Sequence, residues 1–152
     1  MDLQTVFNGE TFASDLALSG ASLATDDGLA TAIVISLFTD GPLQPDDPIP
    51  EGETGRGGWW GDVVVPTSAP QGEPWRTGSR LRLLSREKQT PETARRAADY
   101  CREALSWIVR RGIASAVDVT ATWADAGRLD LVITVTRPDG TPQRYRHLWS
   151  PQ

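Results

Sequence analysis

The side chains able to do chemistry in this 152-residue chain are few and scattered. Glu51, Glu53 and Asp62 flank Trp59 and Trp60. Glycoside hydrolysis needs two carboxylates facing each other across a cleft, one with a raised pKa, and tryptophans line sugar sites. The acid pairs Asp26-Asp27 and Asp46-Asp47 are the places a hard cation could sit. Neither has the spacing of a calcium loop, and paired acids beside glycine and proline are ordinarily solvated turn residues. One histidine, His147, and one cysteine, Cys101, cannot supply a soft-ligand metal site. A Ser-His-acid triad would have to use His147, which stands between Arg146 and Leu148 on a predicted strand, and no GxSxG elbow accompanies it. The Gly55–Gly61 tract does not fit GxGxxG, and there is no P-loop. Arg76–Lys88 is basic enough to touch phosphate but lacks interleaved aromatics beyond Trp75. The sequence therefore predicts no catalytic, cofactor-binding or metal-binding residue, and turns attention to surfaces.

The elements that would carry such surfaces are clearest in the second half. Thr90–Gly112 has the most regular helical pattern. Ala94, Ala97, Ala98, Cys101, Ala104, Leu105 and Ile108 form one apolar stripe, with Arg95, Arg96, Asp99, Arg102, Glu103 and Arg110 mostly opposite. Thr90 suits the N-cap, Pro91 the first position, Glu92 the dipole, and Gly112 a left-handed end. The small residues on the stripe allow a close neighbour. Three alternating runs follow: Val117–Trp123, Leu129–Thr136 and Gln143–Trp149. The turn tracts Ala124-Asp125-Ala126-Gly127 and Arg137-Pro138-Asp139-Gly140 separate them. Short connections force antiparallel neighbours, so a three-stranded meander is predicted, its aliphatic face receiving the helix.

The first half is less regular. Residues 1–25 alternate weakly and read as a short hairpin or an extended arm. Leu29–Thr39 is apolar on nearly all sides: its β-branched content favours a buried strand, its length and acidic N-terminal flank a short buried helix. Ser79–Lys88 reads as a strand edge or as a short helix with Leu81, Leu84 and Leu83 inward. Residues 41–78 form a long loop rich in glycine and proline, a length that is unusual in a compact domain unless it is functional or ordered by a partner. In its middle lies Arg56-Gly57-Gly58-Trp59-Trp60-Gly61-Asp62. Two adjacent indoles need somewhere to bury: the domain's own core, or a partner, where Trp and Arg dominate hot spots. Both readings stand. Arg56, Trp59, Trp60, Asp62, Trp75 and Arg80 are the candidate interface or loop-anchoring residues.

Size predicts one domain over residues 1–152. Residues 1–62 carry eleven acids against Arg56 alone, and residues 63–114 ten bases against five acids. The two regions can compensate within the fold or meet neighbouring subunits head to tail, and internal compensation is the simpler reading. The formal charge of -5 argues against a nucleic-acid module. The lone Cys101 excludes an internal disulfide and reads as a packed small hydrophobe. No signal peptide is read in MDLQTVFNGE, and the apolar run Ala32–Phe38 is too short to span a bilayer.

Several of these tracts together carry a resemblance. Leu29–Ala32 with Ser36–Asp40, then Arg56–Asp62, then Gly78–Leu81 with Leu83-Leu84, then Thr90, Glu103–Leu105, Trp107, Gly112 and Arg137–Gly140, resemble the Mu-type phage tail protein family encoded by gene forty-six. The match runs from about residue 26 to the C-terminus, and the RGGWWGD tract is its most specific part. That family looks like the Mu-type version of the contractile-tail baseplate wedge protein, also called the sheath initiator. The resemblance implies an α+β fold, with N-terminal helices and a long amphipathic helix packed on a C-terminal three-stranded antiparallel meander. It also selects the helix for Leu29–Thr39. It further implies a structural, non-enzymatic role in the virion's tail baseplate, assembled in the host cytoplasm. Other wedge proteins, the tail tube and the sheath would be its neighbours, with no cofactor, nucleic acid or membrane. The lysozyme label of some wedge proteins is not carried over, because no carboxylate pair here is distinctive. Gly112–Ala116 stands where the wider class often has a Glu-Pro-Arg tract.

Overall fold

The computed structural model describes residues 2–3, 5–8, 13–16, 18–19, 22–23, 25–26, 28–65, 75–124 and 127–150, with side chains from residue 28 onward. Asp27 of the first acid pair, and Asp125 and Ala126 of the first predicted turn, lie outside the described residues. The chain divides into two compact units, Met1–Ile35 and Ser36–Gln152, and the division falls within the first helix.

In the first unit, short strands pair as antiparallel ribbons. β1 (Asp2–Leu3) pairs with β6 (Thr25–Asp26), and β2 (Thr5–Asn8) with β3 (Ala13–Leu16). β4 (Leu18–Ser19) pairs with β5 (Ser22–Leu23), so two successive hairpins lie between the outermost pair. Helix α1 (Leu29–Phe38) begins just after Gly28, whose φ is +84°. The competition between strand and helix in this stretch thus resolves as helix, the form that satisfies its backbone groups internally without a neighbouring strand.

The second unit is organised by α2 (Pro91–Arg110) on the sheet β7 (Ala116–Trp123), β8 (Leu129–Thr136), β9 (Pro142–Trp149), in the order β7-β8-β9 with both pairings antiparallel. Thr90 caps α2 by accepting the Thr93 amide at 3.1 Å, with Pro91 at the first position. At the other end Gly112 adopts φ +69°; its amide donates to Val109 O at 2.9 Å and that of Ile113 to Ile108 O at 3.0 Å. This paired left-handed cap is one a side chain at position 112 would strain. The buried face of α2 is Thr93, Ala94, Ala97, Ala98, Cys101, Leu105 and Ile108. It packs on β7. Two hydrogen bonds fix it there, from Trp123 Nε1 to Thr90 O at 2.8 Å and from Arg102 Nη2 to Val119 O at 2.8 Å.

β8 is the central strand, and Leu129, Leu131, Ile133 and Val135 on its inner face are fully buried. The register sets Val119 and Tyr145 on either side of Ile133, and Ala121 and His147 on either side of Leu131. The β8–β9 turn closes with Gly140 N donating to Arg137 O at 2.9 Å and Gly140 at φ +86°, a type I turn followed by a left-handed glycine. The end of α1 supplies further cover: Trp107 Nε1 donates to Ser36 Oγ at 3.0 Å, and Phe38 meets His147 edge-on at 5.7 Å. The α+β architecture read from the sequence is the one observed. Ser79–Lys88 is helical, as one 3-10 turn over Leu81–Leu84 with Leu81 and Leu84 buried.

Candidate interaction surface

The long loop is closed at its base. Gly41 N donates to Ser79 O at 2.8 Å and Ser79 N to Thr39 O at 2.9 Å, so Asp40 and Ser79 form an isolated parallel bridge. Ser79 Oγ donates to Leu37 O at 2.6 Å, which fastens the bridge to the end of α1.

Within the loop the RGGWWGD tract is explained residue by residue. Arg56 donates to the carbonyl oxygens of Gln44, at 2.6 Å, and Pro45, while its own carbonyl accepts the Leu43 amide at 2.8 Å. Gly57, at φ +66°, makes room for Arg82: a Cβ there would lie 2.2 Å from the guanidinium. Gly58 sits over Pro42 at φ +112°. Gly61 leaves space for the Trp59 ring, which a Cβ would approach to 2.3 Å. Asp62 Oδ2 accepts the Thr77 amide at 2.8 Å and so ties the two limbs of the loop together. Trp59 and Trp60 pack at 5.5 Å between ring centroids. Neither joins the core: Trp59 is 40% exposed and Trp60 80%. Trp60 begins a 3-10 turn, Trp60–Val63, and Val63, Val64 and Val65 after it are all exposed. The sequence reading passed over this run of three valines, although three β-branched apolar residues inside a polar loop are themselves a surface signal.

Charge holds the loop to the body. Arg80 Nη1 donates to Asp47 Oδ1 and Oδ2 at 2.9 and 2.8 Å, Nη2 reaches Glu103 on α2, and the guanidinium lies 4.5 Å from the Tyr100 ring centroid. Burial pushes the Asp47 carboxyl up, but the Arg80 and Gln44 hydrogen bonds and the Arg80 and Arg56 charges outweigh it. They hold the group below the usual carboxylate range. Burial pulls the Arg80 guanidinium down, and Glu103 and Asp47 more than restore it. Arg82 pairs with Glu53 and Arg86 with Glu51. The three carboxylates that were candidates for sugar chemistry are thus engaged separately: Glu51 and Glu53 by arginines, Asp62 by a backbone amide. Acids of the first 62 residues meet arginines of the next 52, the internal compensation read from the sequence.

Trp75 lies away from the tryptophan pair's role, 4.9 Å from the Arg111 guanidinium, which also approaches Trp107 at 5.9 Å. Beside it is a groove of about 400 Å³ lined by Arg76, Arg80, Tyr100, Glu103, Trp107 and Arg110, among others. Sequence reasoning did not find this groove, because Glu103 and Tyr100 become neighbours of Arg80 only through folding. Among the described residues no group of three or more His, Cys, Asp or Glu side chains could hold a metal. His147 is half-buried against Phe38; its Nε2 is buried without a hydrogen-bond partner among the described residues, and burial pulls its pKa down.

Fold and surface together define a small α+β protein whose long glycine-rich loop is pinned by arginines and displays a bare tryptophan. Residues 29–142 match the sequence model of the family described as Phage protein GP46, and the chain belongs to that family. It is 45% identical over 131 residues to baseplate protein gp46 of Escherichia phage Mu, covering 86% of this chain and 85% of that one. It is 41% identical over 148 residues to the Mu-like prophage FluMu protein gp46 of Haemophilus influenzae, covering 96% and 95%. The family is the one that the Arg56–Asp62 tract and its flanking segments resembled.

Proposed function

We propose that this chain is a structural component of the tail baseplate of a Mu-like phage or phage-like particle. It would assemble as a wedge protein with other wedge proteins, near the tail tube and the first sheath ring. The name baseplate protein, borne by the phage Mu relative at 45% identity, supports the role. The observation that carries it is Trp60. Arg56 and Asp62 in its tract are hydrogen-bonded within the loop, yet this ring is 80% exposed and is followed by three exposed valines. A large apolar ring on a pinned loop loses little conformational entropy on docking, and such rings anchor protein interfaces. In this reading Arg56, Asp62, Trp75 and Arg80 shape the loop, while Trp59 supports Trp60. Among the described residues no strand pairs with the outer edge of β9, which offers a second contact where a partner's strand can add.

The test is complementation of a Mu-like phage lacking this gene with Trp60→Ala, alongside circular dichroism of the purified variant. A folded variant that fails to enter tails supports the reading. Normal yields of infective particles from the Trp59→Ala/Trp60→Ala double variant would remove the tract from assembly.

A further inference from the structure

One face of the β7-β8-β9 sheet receives α2. The opposite face carries its charge in an ordered way. Asp118 on β7 and Arg144 on β9 both belong to it, and both are exposed. Asp118 pairs in register with Thr134, and Thr134 with Arg144, so the three form one row across the sheet. Neighbouring strands lie about 4.8 Å apart, which leaves the acid and the base at the two ends of the row about 10 Å from each other. Among the described residues neither has an ion partner. Arg146 differs, because it reaches Asp130 at 2.7 Å on the same face and balances its charge. The row of Asp130 ends in Thr122 on one side and Leu148 on the other, and Leu148 is also exposed. The face is thus left with one unmet acid on its first strand and one unmet base, level with it, on its third.

We propose that this face packs on the same face of a second copy of the chain, about a twofold axis running along β8. That rotation keeps every row level and exchanges β7 with β9. It sets Asp118 of each copy opposite Arg144 of the other, so both unmet charges find a mate, and they do so twice. In the row of Asp130 it lays Thr122 against Leu148. Sheets packed face to face stand about 10 Å apart, a gap that a long arginine side chain crosses. The other twofold in the same plane, running across the strands, stacks β9 on β9. It gathers Arg144 and Arg146 of both copies together, like charge on like. The axis along β8 is therefore the one the charges select. Three strands of eight residues make a face of about 400 Å² at these spacings. That is about half of what each partner buries in a standard interface, so the dimer is weak and forms only at high concentration. The inference stands apart from the baseplate reading.

The experiment is sedimentation equilibrium of the full purified chain, from about 10 μM to about 1 mM. Asp118→Arg and Arg144→Asp should each weaken association about tenfold or more, because each sets like charges opposite one another. An equimolar mixture of the two variants should associate as the native chain does, since one then offers two acids and the other two bases. From a net charge of -5, both variants remain net negative, so attraction between whole molecules does not produce that rescue. Arg76→Asp makes the same change of net charge in the groove beside α2 and should leave association intact. Circular dichroism checks that each variant is folded. A native chain that stays monomeric at the highest concentration overturns the proposal. So does a mixture that fails to associate, or equal loss in Arg76→Asp. Loss in Arg144→Asp with none in Asp118→Arg puts the contact at β9 alone and also overturns it. Trp60 complementation probes a different surface and stands or falls separately.

Discussion

Gly41 and Gly78 meet backbone to backbone at the base of the long loop. A Cβ on Gly41 would lie 2.9 Å from Gly78 C, and one on Gly78, at φ +101°, would lie 2.3 Å from Thr39 O. The bridge between Asp40 and Ser79 depends on that closeness. Gly78→Ala should therefore cost about 3 kcal/mol, from strain and collision together. Gly52→Ala is the control: its φ is +90° but nothing lies within 4 Å, so it should cost about 1 kcal/mol. Urea unfolding followed by tryptophan fluorescence compares the two.

Trp60→Ala should shift stability by less than about 0.5 kcal/mol, because an exposed side chain with few intramolecular contacts contributes little to folding. Gly61→Ala, which would drive a methyl into the Trp59 ring at 2.3 Å, should cost about 1–3 kcal/mol. Thermal unfolding of both variants checks the contrast. A Trp60→Ala protein that melts as early as Gly61→Ala would make Trp60 part of the fold rather than of its surface.

Arg80→Ala leaves the largely buried Asp47 without its ion partner, and should destabilise by about 2–3 kcal/mol. Arg80→Lys should recover only part of this, because a point charge cannot serve Asp47, Glu103 and the Tyr100 face together. The acid limb of the stability curve reports the same pair. Asp47 has a folded-state pKa below its unfolded value. Its contribution is therefore complete above the unfolded pKa and disappears as pH falls through the folded one. Asp47→Asn should flatten that limb below pH ~4.

His147 gives a second pH dependence, at higher pH. Burial lowers its folded pKa, so the unfolded chain takes up the proton first as pH falls. Stability should decline once pH drops below the unfolded value near 6.5 and level off below the folded one. Denaturation midpoints measured from pH 7.5 to 5 should show the decline in the native chain and lose it in His147→Gln.

Cys101 is fully buried, and burial pushes its thiol up to about 12. At pH 8 it should resist iodoacetamide in the folded chain and react readily in urea, because the thiolate is the nucleophile. Mass spectrometry of the alkylated product reads this directly.

What the sequence made legible was what local pattern can encode. The three- and four-residue spacing from Ala94 to Ile108, the cap residues Thr90 and Gly112, and the period-two runs around Arg137–Gly140 each specify their own element, and each is found. Leu29–Thr39 is ambiguous in sequence because an apolar run has no period to read. The loop's construction was hidden for a different reason. Gly57 is needed because Arg82, twenty-five positions later, lies over it, and Gly78 because Thr39 does. Arg80 is paired by Asp47 from one side in sequence and Glu103 from the other. Such contacts exist only after closure, and no window of sequence displays them. The tract RGGWWGD is conspicuous in the sequence; that Arg56 and Asp62 hold the loop while Trp60 faces outward emerges only on folding.

The pairing of Asp47, Glu51 and Glu53 with Arg80, Arg86 and Arg82 bears on biosynthesis as well as architecture. An unfolded chain displays a strongly anionic front and a cationic middle, opposite charges that attract between chains as well as within one. Folding consumes those opposites in cis. Charge attraction between chains thus weakens as each one folds and these three acid–base pairs close.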